Sequence, residues 1–151
     1  MQYDKAMLKS WAEMEMWDQY LERNGGLKKY SSREGFDYLQ REYFDQVEKR
    51  IQCCKELLKT YQDAFLYYVI AQLYDRADLN KSPAHLYKRD TRFFARKALE
   101  LDSSFTPAKE LIDRANEWVE FLGGDNNYMP DFDAQFKNAD GNRLIENDES
   151  L

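Results

Sequence analysis

The sequence predicts an all-α protein of about five antiparallel helices followed by an acidic C-terminal tail. Three observations carry this reading. Apolar residues recur at spacings of three and four through most of residues 2–122. Turn formers gather in short breaks at Gly25-Gly26, Tyr61-Gln62-Asp63, Asn80 to Pro83 and Gly123-Gly124. From Asp125 the composition changes, which divides the chain into a helical domain over 1–124 and a tail over 125–151. The tail holds seven acidic and two basic residues, so −5 of the formal net charge of −6 lies there and the body is near −1.

At 151 residues the chain is one domain by size. A chain of this length buries roughly two thirds of its unfolded surface and needs no metal or disulfide staple. Apolar residues make up 43% and aromatic residues 15%, enough for a packed core with aromatics to spare for a surface. The negative charge disfavours nucleic acid as a partner. Cys53 and Cys54 are adjacent, read as two reduced thiols on a helix, and imply a reducing compartment. No stretch approaches 18 apolar residues and the N-terminus has no signal-peptide core, so no membrane is expected and the location is read as cytoplasmic.

Residues 2–23 are read as the first helix, with Met7, Trp11, Met14 and Leu21 in one stripe and Trp17 and Tyr20 beside it. Gly25-Gly26 ends it. Ser31-x-x-Glu34 reads as a capping box for a long second helix over about 33–60. Phe36, Leu39, Tyr43, Val47, Ile51, Cys54 and Leu58 step along its buried side. Arg41, Glu42, Glu48, Lys49, Lys55 and Glu56 are placed on its solvated face.

The organising segment is 64–108. Asp63 caps a helix whose stripe is Tyr67, Ile70, Ala71 and Tyr74, widened by Phe65 and Val69. After an insertion from Asp78 to Lys88 a second stripe follows: Phe94, Ala98 and Leu101, flanked by Phe93 and Leu99. Ala71 and Ala98 allow these two helices to approach closely. Thr106 as N-cap and Pro107 in the first turn open the last helix, over 107–122. Its stripe is Ala108, Leu111, Ile112, Ala115, Val119 and Leu122, extended by Trp118 and Phe121.

The junction KALELDSSFTPAKELI resembles the boundary between two tetratricopeptide repeats (TPRs) through Ala98-Leu99, Asp102, Ala108 and Ile112. Tyr67, Ile70, Ala71 and Tyr74 resemble the first-helix pattern of the preceding repeat. The likeness covers roughly residues 61–118, with about eight extra residues between Ala71 and Ala98. It implies a TPR-like α-solenoid whose first helices line a groove. Carried onto this chain, Tyr68, Gln72, Asp75 and Arg76 from one helix and Glu110, Arg114, Glu117 and Trp118 from the next would face a partner chain or peptide.

Arg89, Arg92 and Arg96 fall on one helical face. The plainer reading is a solvated outer face; the sharper one is an anion site for a carboxylate or phosphate. The acidic tail is read as a solubiliser, or as a segment that folds back on this arginine face. The chain has no GxSxG, phosphate-cradling glycine loop, HExxH or CxxC pattern, and its single histidine, His85, has no second histidine to share a metal. No metal, cofactor or catalytic residue is therefore expected. The expected function is protein–protein interaction, as an adaptor, a client-specific chaperone or an inhibitor. The alternatives are a structural homo-oligomer joined through the Trp11/Met14/Trp17 helix and, less favoured, a helical ribonuclease using His85.

Overall fold

A computed structural model describes residues 2–26, 32–80 and 88–121. Within these, six helices and no strands are present: α1 (Lys5–Ala12), α2 (Trp17–Arg23), α3 (Arg33–Leu58), α4 (Ala64–Ala77), α5 (Arg89–Leu101) and α6 (Thr106–Phe121). None is long and apolar enough to cross a membrane.

The single helix expected over 2–23 is two helices. Asp4 caps α1 by accepting from the Met7 N–H, and Met16 is extended, with φ −72° and ψ 161°. Long-range contacts outweigh helix propensity at this break. The Tyr43 hydroxyl donates to the Glu15 carbonyl at 2.8 Å, and Arg23 pairs with the Glu15 carboxylate at 2.7 Å. The break turns Trp17 onto α3, where its ring lies 5.1 Å from Tyr43 and 5.6 Å from Phe44. Along α1 the fully buried side chains are Leu8 and Ala12; Met7 and Trp11 are half-buried. The helix is therefore rotated by about one residue from the expected stripe.

The Ser32 hydroxyl, not that of Ser31, caps α3 by accepting from the Gly35 N–H at 3.1 Å; Ser31 lies outside the described residues. Leu39, Tyr43, Val47, Ile51, Cys54 and Leu58 are buried, as their spacing predicts. Burial pushes the Cys54 thiol up to about 12, with Cys53 adding to the shift. Lys55 was expected on the solvated face, but it is 6% exposed. Its ammonium donates to the Tyr74 hydroxyl at 3.1 Å and lies 5.6 Å from the ring centroids of Tyr74 and Phe94. Four methylenes and two aromatic faces make a buried lysine tolerable here.

The Asp63 carboxylate caps α4 by accepting from the Phe65 N–H at 3.0 Å, and it also accepts from the Tyr3 phenol. Leu66, Val69, Ile70, Ala71 and Leu73 are all fully buried. This exceeds one stripe because α4 packs against α1, α3, α5 and α6 together. Asp78 ends α4 in the left-handed conformation, φ 52°. Of the insertion, residues 81–87, with His85, lie outside the described residues.

Along α5, Phe94, Ala95 and Ala98 are fully buried, and the Phe94 ring stacks on Tyr74 at 5.5 Å with an interplanar angle of 11°. Leu101 was expected in this stripe but is 50% exposed, because it closes the helix where the chain turns away. The Asp102 carboxylate builds that turn by accepting from the Ser104 N–H and hydroxyl, which hold its pKa below the ordinary value. Thr106 is the first residue of α6, not its cap, and its hydroxyl donates to the Ser104 carbonyl at 3.4 Å. Ala108, Leu111 and Ala115 form the buried side of α6. The side chains of Val119 and Phe121, and residues 122–151, lie outside the described set.

Contacts fix the helix directions. Tyr3 meets Asp63 and Lys5 lies over the Phe65 ring, so α1 starts beside the start of α4. Phe105, just before α6, meets Phe65 and Tyr68. Lys88, just before α5, meets Asp75 and Asp78 at the far end of α4. Thus α1, α4 and α6 run one way, and α5 runs the other.

Because Ala98 is fully buried within the core that α4 and α5 share, Ala98→Leu is expected to lower stability by about 1–3 kcal/mol through overpacking. Urea unfolding reads this, and an unchanged midpoint would contradict the packing. Burial also pushes the Tyr43 phenol up to about 12, with Glu15 adding to the rise. Between its ordinary value of about 10 and that raised value the unfolded chain ionises first, so stability falls as pH rises through this window. Tyr43→Phe should make the fall shallower; an identical pH profile would refute the assignment.

Candidate binding cleft

A cleft of about 590 Å³ lies between α4, α6 and the break that separates α1 from α2. Six of the eight residues expected to face a partner line it: Tyr68, Gln72, Asp75 and Arg76 on α4, and Arg114 and Trp118 on α6. Positions 68, 72, 75 and 76 share one helical face, as do 114 and 118. The parallel course of α4 and α6 sets the two faces side by side. Glu110 and Glu117 are exposed on α6 and do not line the cleft, although Glu110 is near enough to act on Tyr68.

Gln72 is 5% exposed and forms the floor of the cleft. Oriented so that donors meet acceptors, its amide oxygen accepts from Nε and Nη2 of Arg76, each at 3.1 Å. That contact braces the Arg76 guanidinium from below. Asp75 accepts from Lys88, whose ammonium lies 3.4 Å from it and 3.1 Å from Asp78. Burial raises the Tyr68 phenol above its ordinary value; Arg114 and Arg76 oppose the rise, and Glu110 and Glu13 add to it. The phenol therefore sits within the fields of both guanidinium groups.

Met16, Lys88 and Ala115 line the cleft without having been expected to. Met16 reaches it only because the chain breaks there, and nothing in the local sequence marks that break. Met16 is exposed, and Trp118, at 51% exposure, flanks the cleft from α6. Two arginines, a phenol and these two apolar side chains suit a ligand carrying both carboxylates and a large apolar group. Among the described residues no histidine or cysteine lines the cleft, and no group of three or more His, Cys, Asp or Glu is placed to hold a metal ion.

The other candidate positions take different places. Arg89, Arg92 and Arg96 do not form a solvated outer face. Arg92 is 8% exposed, and burial, then the Arg96 charge, lowers it to about 10. Arg89 lies 3.5 Å from the buried Asp90. Trp11, Met14 and Trp17 are half-buried within the chain, with Arg50 over the Trp11 ring and in contact with the Met14 sulfur. A second cavity, of about 650 Å³, lies between α3 and the end of α4 beside Lys55 and Cys53, and none of the expected partner residues lines it.

Compared with protein-family models, with curated proteins and with solved structures, the chain gives no match.

The charges around Tyr68 give a direct test of the cleft. Arg114→Gln should raise the Tyr68 pKa further, and Glu110→Gln should lower it, as read by NMR titration of ring-labelled tyrosine. A Tyr68 resonance that titrates identically in both variants would separate α6 from α4 and refute the geometry.

Proposed function

We propose that the chain is a TPR-like helical repeat domain that recognises a segment of another protein in the cleft between α4 and α6. It works as an adaptor, a client-specific chaperone or an inhibitor and not as an enzyme. The observation that carries the reading is the convergence of Tyr68, Gln72, Asp75, Arg76, Arg114 and Trp118 on one cleft.

The helix directions add support. In this reading α1, α4 and α6 are the first helices of successive units and line a concave side, while α3 and α5 stand behind them. Stacking of this kind buries a continuous core and leaves an extended surface for a ligand. The intervening α2 and the long α3 make the first unit irregular. The homo-oligomer alternative draws less support, because Trp11, Met14 and Trp17 already pack against their own chain.

The test is partner capture with the full chain. Replacing Arg76 and Arg114 with Glu should weaken capture roughly tenfold or more, since like charge would face a ligand selected for its acids. Each variant must keep the helical circular-dichroism signal. Recovery of the same partners at unchanged affinity would show that the cleft is not the binding site.

A further inference from the structure

We propose that the chain's own segment 125–136 occupies the α4–α6 cleft, so that a partner binds only by displacing it. This rests on the reading of the cleft as a peptide-binding groove.

Three observations meet here. The first is reach. Trp118 lines the cleft, α6 ends at Phe121, and the segment begins four residues later. At a rise of roughly 1.5 Å per residue along the helix, the return from Phe121 to Arg114 is only about 11 Å. An extended chain covers that in about four residues. The proposal requires a reversal near Gly123-Gly124, and glycine takes the backbone conformations that a sharp reversal needs.

The second is charge. Among the described residues Arg76 and Arg114 are the cleft's cations besides Lys88, which Asp75 and Asp78 already hold. Segment 125–136 carries Asp125, Asp131 and Asp133 and no basic residue. Two of these acids flank Phe132 at a spacing that lets both point to one side of an extended strand while the ring points to the other.

The third is apolar content. Tyr128, Met129, Phe132 and Phe136 account for most of the large apolar residues after Gly124. The cleft offers exposed Trp118 and Met16 as their counterparts. Covalent attachment makes the contact intramolecular, with an effective concentration in the millimolar range for a short flexible tether, so a weak intrinsic affinity suffices to fill the cleft.

The test uses the full chain with Phe132 replaced by the photoreactive analogue benzoylphenylalanine. Irradiation followed by peptide mass spectrometry should give cross-links within one chain to the peptides carrying Met16, residues 68–76 or residues 114–118. The double variant Arg76→Glu, Arg114→Glu should lose roughly tenfold of that yield. Cross-links elsewhere on the body, an unchanged yield in the double variant, or links between isotopically light and heavy copies would each overturn the proposal. The two readings fail separately. If cross-links miss the cleft while the double variant still loses its partners, only the tail's occupancy is wrong. If cross-links reach the cleft and partners bind the double variant unchanged, the peptide-groove function is wrong.

Discussion

The close contact of α4 with α5 is the constraint on which the other elements depend. Phe94 of α5 stacks on Tyr74 of α4 across this contact, and Ala71 and Ala98 are fully buried in the core that both helices share. With that contact made, α4 has helices on several sides, and its residues from Leu66 to Leu73 are mostly inaccessible. A helix held this way cannot rotate to bury a different face. The side that remains is the one carrying Tyr68, Gln72, Asp75 and Arg76, so the cleft is a consequence of the core and not an addition to it.

The electrostatics of the cleft follow from the same packing. Gln72 is buried enough that its amide must find a partner, and Arg76 supplies one. Lys88 is tied to the end of α4 by two carboxylates, which fixes the start of α5 against it. What is left to meet a ligand is a pair of guanidinium groups, a phenol whose ionisation is suppressed, and apolar side chains at two edges. In the proposed reading such a surface would select a partner by charge and anchor it by burial.

Much of this was legible in the sequence. Helix spacing placed α3, α4 and α5 because each has a long or deeply buried apolar face, and Asp63 announced its cap. Of the eight positions singled out by the repeat-like pattern, six line one cleft between α4 and α6, while Glu110 and Glu117 lie outside it. Where the reading departed from the structure, a tertiary contact had overridden a local preference. The α1–α2 break at Met16 is held by Tyr43, a residue 27 positions further on. Lys55 is a charged residue by type, yet its stem and ammonium are enclosed by Tyr74 and Phe94. Leu101 is apolar by type, but it lies at a helix end that leaves it half exposed. Arg92 is drawn into the body by the turn of α5, a rotation that spacing alone does not specify.

Packing against α1, α3, α5 and α6 fixes α4 without any partner, which leaves the cleft preformed. Hydrogen exchange on the free full-length chain measures this most directly, since the slowest amides report the most stable unit. Leu66 to Tyr74 are expected to exchange slowest, together with the Phe94–Ala98 turn of α5, and clearly more slowly than α1 or α2. If the α4 amides exchange as fast as those of α1, the helix is not the fixed centre of the fold, and the cleft is not a preformed site.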